Sequence, residues 1–426
     1  MRYRNIKLKK GVELTVITDE KFKVENMSVS FIAGTGEKEA LYSALLTGVL
    51  SRSCKKYPSL MKINKALDDL YDAQLQADTV RRGLYHILKF TVSMLGNRYS
   101  IDGTDIRGGC LDMLYSVIAE PDLKNGQFDL RVLSTEKKQL SDAVNDIKNS
   151  RSSYAIRQSL DELMAYEPLY CPRLSRLEGI DGVSGRTLAD YYRILMKNAP
   201  VRIMFVGGDD DDKVYKFASK LADTLGDRQN GYVKDVEFKK APENLIYKSE
   251  SLPVAQNVLC VGCSYDGDTG DGKNAARALM GEIFYQNPTS RLFENVREKL
   301  SLCYYCSAAA MTDLKKLLIY AGIDGKNKNK AVSEIFKQIE LMKAGVTEDE
   351  INRCRAAIKT ELLQTADSPG RVARWYAPQT MYGIKPVSIE EFTASLDKVT
   401  ADDILQAVSS VTPYLIYELG YTGDSV

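Results

Sequence analysis

Histidine is almost missing from this chain: His86 is the only one in 426 residues. Imidazole is the usual catalytic base near neutral pH and the commonest zinc ligand, so most mechanisms built on it lose their material here. An excess of one charge is missing too. The 58 basic and 57 acidic side chains leave a formal net charge of +1 and are mixed along the chain. A nucleic-acid scaffold normally shows a basic face and a high pI, so no nucleic-acid partner is expected. No apolar run reaches the length of a membrane span, and the start "MRYRNIKLKKGVELTVITDEKF" has no apolar signal core. Those two absences point to a soluble, cytoplasmic chain with no membrane partner. The eight cysteines are spread too thinly to form a small disulfide scaffold.

Apolar residues make up 44% of the chain, enough for real cores, and the length calls for two or more domains. The chain repeats itself once at an offset of roughly 230 residues. "MSVSFIAGTG" (27–36) and "NVLCVGCSYDG" (257–267) both alternate like strands and end in glycine. Each leads into a helical stretch, then a proline (Pro58, Pro288) that opens a second helix. Leu60, Ile63, Leu67 and Leu70 share one helical face in the first copy; Leu292, Val296 and Leu300 do so in the second. Both helices run into strand-like text, "AQLQADTV" and "CYYCSAAA", each followed by another strand-like run. Residues 128–148 and 329–344 read as further helices. The mixed, turn-like stretch 226–251 reads as a linker between domains 1–225 and 252–426. This order predicts α+β units on mainly antiparallel sheets.

Several local motifs favour plain structural readings. "GDTGDGKN" (267–274) nearly matches a phosphate-cradling loop, but Asn274 stands where a hydroxyl should hold Mg²⁺, and Asp266, Asp268 and Asp271 would repel phosphate. Asp271 also occupies the glycine position of a calcium loop. A solvated loop before a helix is expected. Cys260/Cys263 and Cys303/Cys306 are C-x-x-C pairs in strand-like text. Residues i and i+3 of a regular strand point to opposite faces, so neither pair is expected to share a metal. The four acids of "GGDDDDKVYKF" (207–217) suit the positive end of a helix dipole. His86, in the alternating run "GLYHILKF", reads as a strand histidine with a hydrogen-bonded partner. Taken alone, Arg297 pairs with Glu294 one turn earlier, and Tyr304 packs like any of the 25 tyrosines.

With the repeat laid out, nearly the whole chain resembles the insulinase/pitrilysin metallopeptidases, the inverted zincins. "GVELTVITDEKFKVENMSVSFIAGTG", "KKYPSLMKINKALDDLYDAQLQADT" and above all "SRLFENVREKLSLCYY" (290–305) carry the resemblance. It implies two homologous α+β domains, each a mainly antiparallel sheet packed by helices, forming a clamshell-like pair. Active members carry H-x-x-E-H on the helix just before the "KKYPS"-like segment, two histidines binding zinc and the glutamate polarising water. Here that place reads Ala44-Leu45-Leu46-Thr47-Gly48, with Ala44 and Gly48 at the histidine positions and Thr47 at the base. In the family a glutamate from a later helix completes the zinc set; the matching stretch "EKKQLSDAVNDIK" puts Ala143 there. No metal, cofactor or catalytic residue is therefore expected on this chain alone.

The second domain of active members supplies an Arg and a Tyr, seven residues apart, that hydrogen-bond the substrate backbone. Arg297 and Tyr304 match in type and spacing, and both are donors suited to a carbonyl or developing oxyanion. Some family members work as two related chains, one bringing the zinc and the other the Arg/Tyr pair. The resemblance thus implies a non-catalytic, peptide-binding subunit of a heterodimeric zinc metallopeptidase, with zinc on a related H-x-x-E-H-bearing chain. Peptides would add as an extra strand beside Ala73 to Thr79. The alternative is a non-enzymatic peptide-binding or scaffold protein, alone or as a homodimer.

Overall fold

A computed structural model describes residues 1–167, 169–172, 177–228, 239–254, 256–266 and 274–420. The first half runs β1 (Arg2–Lys9), β2 (Val12–Thr18), β3 (Val24–Ile32), α1 (Glu37–Arg52), α2 (Leu60–Asp68), β4 (Gln74–Arg82), β5 (Tyr85–Leu95) and α3 (Ile106–Ala119). A short hairpin, β6 (Leu123–Lys124) and β7 (Gln127–Phe128), precedes α4 (Leu130–Asn149), α5 (Arg151–Leu163), α6 (Gly185–Asn198), β8 (Val201–Gly207) and α7 (Asp212–Leu225). The second half holds β9 (Ile246–Ser251), β10 (Asn257–Ser264), α8 (Ala275–Gly281), β11 (Cys303–Met311), β12 (Lys316–Ile323) and α9 (Lys328–Ala344). Then follow α10 (Glu348–Ala366), α11 (Pro369–Tyr382), α12 (Ile389–Leu396), α13 (Ala401–Ser409) and β13 (Thr412–Gly420). Among the described residues no helix is long and apolar enough to cross a membrane.

Contacts divide the chain into two units that are discontinuous in sequence. One comprises Met1–Val144, Ser175–Asp235 and Thr365–Pro386; the other Asn145–Leu174, Val236–Gln364 and Val387–Val426. In the first unit six strands lie in the order β1-β2-β8-β3-β5-β4, antiparallel except for β2 beside β8. Alternation explains its main core: Met27, Val29 and Phe31 of β3 and Leu88, Phe90 and Val92 of β5 are buried with Leu41, Leu45 and Val49 of α1 and Cys110 and Leu114 of α3. The intervening Ser28, Ser30 and Arg202 are buried too. Arg202 Nε donates to the Thr380 carbonyl of α11 at 2.9 Å, so a helix from the second half caps this polar face.

In the second unit five strands lie in the order β11-β12-β10-β13-β9, antiparallel except for β13 beside β9. Helix α5, from the first half, packs on β10, β12 and β13, and Tyr414 donates to the Leu163 carbonyl at 2.6 Å. The repeat is visible in the strand order. β3, β5 and β4 hold the places in one sheet that β10, β12 and β11 hold in the other, roughly 230 positions later. β4 and β11 are both edge strands. The stretch expected as a linker ends in β9, whose polar text "IYKSES" sits exposed on a sheet edge and so lacks a readable alternation; residues 229–238 lie outside the described residues.

Local chemistry sets many boundaries. Ser59, Ser184, Ser368, Ser388 and Thr400 accept the N-cap hydrogen bonds of α2, α6, α11, α12 and α13, and Gly383 closes α11 in the left-handed region at φ 64°. The acids of "GGDDDD" do more than face a dipole. Asp211 caps α7, accepting from the Lys213 N–H at 2.9 Å, while Asp210 binds Arg4 and the Tyr215 hydroxyl. Asp209 and Asp211 also pair with Arg107, which is buried and grips Glu25 with two nitrogens. His86 is buried in β5 opposite Arg81, and its backbone bonds to Ala33 and Gly34. Asn274 caps α8, accepting from the Arg277 N–H; the rest of the phosphate-loop-like motif lies outside the described residues.

Lys316 opens β12 only 2% exposed, its ammonium 5.5 Å from the Tyr166 ring and 5.8 Å from that of Tyr414. Burial lowers its pKa from 10.5 to about 8. The folded state therefore binds this proton less tightly than the unfolded chain, and the Lys316 contribution grows as pH rises from about 8 to 10.5. Lys316→Met is expected to stabilise the protein by up to about 3 kcal/mol at pH 7. The gain should shrink toward zero near pH 10.5, as read by urea unfolding of both proteins across that range; a gain that does not change with pH would contradict the assignment.

Candidate functional site

The residues singled out in the first unit lie on α1. Ala44 and Gly48 fall one turn apart on the same side, with Thr47 beside them. Thr47 is buried; its hydroxyl donates to the Ser43 carbonyl at 2.7 Å and lies 3.0 Å from the Thr79 hydroxyl of β4. This face of α1 thus looks onto the edge strand of the sheet, and β4 (Gln74–Arg82) includes most of the segment expected as a peptide-pairing edge.

The carboxylate that α4 brings to this face is Glu136, not a group at position 143. Ala143 is exposed about two turns further along. Glu136 is 8% exposed, a Cβ at Gly48 would run into its carboxylate, and Arg52, one turn beyond Gly48, forms an ion pair with it. Its neighbours on the helix face, Leu133 and Val144, are buried, so an acid in an apolar stripe is the signal that marks it in the sequence. The donor set does not fit zinc: one carboxylate already neutralised by a guanidinium, one hydroxyl, and no imidazole. No group of three His, Cys, Asp or Glu side chains suited to a metal exists among the described residues.

In the second unit Arg297 and Tyr304 converge. The segment Phe293–Lys299 winds as a wide π-type turn rather than the regular amphipathic helix expected. The wider turn keeps Leu292 and Val296 buried but rotates Leu300 out to 49% exposure. Ser301 then takes a left-handed conformation at φ 49°, and the chain enters β11. Opposite β12, Cys303 pairs with Ile323, Tyr305 with Gly322 and Cys306 with Ala321, leaving Tyr304 as the extra residue of a bulge. Such π turns and bulges re-aim side chains. Here both residues line one cavity of about 400 Å³, with Glu298, Cys303, Asp324 and Asn327.

Arg297 stacks on Phe293, 4.6 Å from the ring centroid, and its Nε is 3.5 Å from Glu298; Glu294 is 3.8 Å from Lys299 instead. The Glu294 pairing expected from helical spacing is therefore absent, a consequence of the π turn. Tyr304 is 65% exposed and makes no hydrogen bond among the described residues. It is not a packing residue. The two groups can present a guanidinium and a phenol to one ligand at the edge of a sheet. Asp324 and Asn327, which the sequence reading missed, follow β12 and join the cavity only through strand pairing.

The same bulge overturns one expectation about the cysteines. All eight are free and buried. Cys260 and Cys263 sit in a register with β12 that is unbroken from Asn257 to Ser264, so they do point to opposite faces. At Cys303 and Cys306 the bulge resets the alternation, so the two face Ile323 and Ala321 of β12 from the same side of the sheet.

Comparison with known proteins agrees with this architecture. Residues 183–358 match the family described as the Peptidase M16 inactive domain. The "Probable inactive metalloprotease YmfF" of Bacillus subtilis (strain 168) is 25% identical over 402 residues, covering 93% of each chain. A crystal structure of a conserved protein from Enterococcus faecalis V583 superposes with a TM-score of 0.89 at 24% identity over the full length of both chains. That of a peptidase M16 inactive domain from Pseudomonas fluorescens gives 0.80 at 16%, again over both full lengths. The fold is that of the two-domain M16-like peptidases. Over residues 183–358 the chain is similar to the Peptidase M16 inactive domain family, and along nearly its whole length to a relative named a probable inactive metalloprotease.

Proposed function

We propose that this chain is the peptide-binding, non-catalytic subunit of a two-chain zinc metallopeptidase acting in the cytoplasm. Its partner is a related chain bearing H-x-x-E-H and the zinc. What supports this reading is an asymmetry within one chain. The zinc positions hold Ala44, Thr47 and Gly48, yet Arg297 and Tyr304 line one exposed cavity with free donor capacity. The edge strand β4 offers its backbone for β-augmentation, a mode that needs no metal.

The test is reconstitution with the zinc-bearing chain found beside this one by native mass spectrometry of the tagged protein from its own cells. Arg297→Ala is expected to leave assembly and zinc content intact while lowering cleavage of an unstructured peptide by about 100-fold, the scale for removing one oxyanion-directed donor. Unchanged cleavage would sink the subunit reading. A second reading, a non-enzymatic peptide-binding scaffold, draws on the same edge strand; it predicts that the chain is isolated metal-free, alone or as a homodimer.

A further inference from the structure

Cys303 and Cys306 stand three residues apart on one strand yet face the same way. The extra residue at Tyr304 turns both toward the same face, Cys303 opposite Ile323 and Cys306 opposite Ala321 of β12. The two are not equivalent. Cys303 lines the cavity with Arg297, whereas Cys306, opposite Ala321 of β12, is not part of its lining. The neighbouring Cys306 thiol, and then the Arg297 charge, pull the Cys303 thiol down; Cys303 and burial push Cys306 up. A thiol that lines a cavity and is lowered in pKa, backed by a higher one, is the division of labour that thiol–disulfide exchange uses.

We infer that Cys303 and Cys306 form a redox-active dithiol at the rim of the Arg297/Tyr304 cavity, with Cys303 the attacking and Cys306 the resolving thiol. The oxidant is a low-molecular-weight disulfide. The Cys303 thiolate attacks one of its sulfurs, forming a mixed disulfide and expelling one small thiolate. Cys306 then loses its proton and attacks the Cys303 sulfur. The intramolecular disulfide forms, the second small thiolate leaves, and one of the two carries the proton away. The protein loses two electrons and the small disulfide gains them.

Tyr304 lies inside the loop that this bond closes. Oxidation therefore locks the bulge that aims the phenol at the cavity, and reduction frees it. That effect on peptide contact rests on the function proposed above; the dithiol itself does not.

The experiment equilibrates the full chain, folded, with glutathione and glutathione disulfide at graded ratios, alkylates with iodoacetamide and digests with trypsin. Residues 300–315 then form one peptide holding both cysteines. The expected product under oxidising ratios carries no alkyl group and is lighter by two hydrogens, and Cys306→Ser accumulates a glutathione adduct on Cys303 instead. Two alkyl groups on that peptide at every ratio would overturn the dithiol, without recourse to any variant that fails to fold. In the two-chain complex, oxidation is expected to change peptide affinity about tenfold, the weight of one hydrogen bond to a charged group. Unchanged affinity with the disulfide in place overturns its coupling to the site. Absence of peptide binding in both states counts against the proposed function and leaves the dithiol standing.

Discussion

Ala44→His, Thr47→Glu and Gly48→His, combined with Arg52→Ala, are expected to turn this chain into one that binds a single zinc ion. The reasoning rests on what α1 and α4 still hold in place. Positions 44 and 48 share one side of α1, and the Glu136 carboxylate already reaches Gly48. Arg52 neutralises that carboxylate, so it must go before a cation can replace it. Without metal the variant should be less stable than the parent, because a buried carboxylate loses its partner. Zinc should restore that loss. At a free concentration about 1,000-fold above its dissociation constant, linkage adds about 4 kcal/mol, read as a concentration-dependent rise in melting temperature. Adding Glu136→Gln should weaken the binding by at least about tenfold, the lower scale of a lost supporting group at a metal site. If the four-substituted chain takes up no zinc, or if Glu136→Gln changes nothing, Glu136 does not stand at the third ligand position.

Arg107→Met is expected to destabilise the first unit by about 3–5 kcal/mol, the scale for removing one partner of a buried ion pair. Arg107 and Glu25 are each 2% exposed. Their bidentate contact, with the Nε bond at 2.7 Å, is joined at 2.6 Å by Asp211 and by Asp209. Methionine would leave three carboxylates facing one another around an apolar stem. Burial already raises the Glu25 pKa, and Arg107 pulls it back down. A raised carboxyl favours folding at low pH and loses that contribution as pH climbs through its folded value. In the variant the raising influence is unopposed, so its deficit against the parent should narrow as pH falls and Glu25 takes up a proton. Urea unfolding at pH 7.5 and pH 5 measures both effects. A loss below about 1 kcal/mol, within the range of surface pairs, would mean that the network is not buried as described. Glu25→Leu together with Arg107→Met should recover much of the loss, since an apolar pair is tolerated where a single charge is not.

Much of the molecule was legible before folding because it depends on local pattern. The alternation around Met27 to Ile32 and Asn257 to Ser264, the apolar spacing of Ile63 and Leu67, and the duplicate at roughly 230 positions all survive as strands, helix and matching sheet orders. The residues at positions 44, 47 and 48 were legible for the same reason: they lie close together on one helix, α1. Ala143 illustrates the limit. Which residue of a 20-residue helix reaches α1 depends on the rotation and tilt of α4, which the helical period alone does not carry.

What the sequence by itself determined is the inventory: one histidine, balanced charge, two copies of an α+β pattern, and an Arg and a Tyr seven positions apart. These follow from residue identity and from periods of 2 and 3.6, which need no third dimension. Only the tertiary structure decided which residues meet. The π turn at Phe293–Lys299 and the bulge at Tyr304 place Arg297, Tyr304 and Cys303 together. The assignment of α5 and α11 to sheets from the opposite half, and the contact of Glu136 with Gly48, were settled in the same way. Each of these is an irregularity or a long-range packing choice. Such features change the register of a pattern without changing its letters, so they have no periodic signature to read.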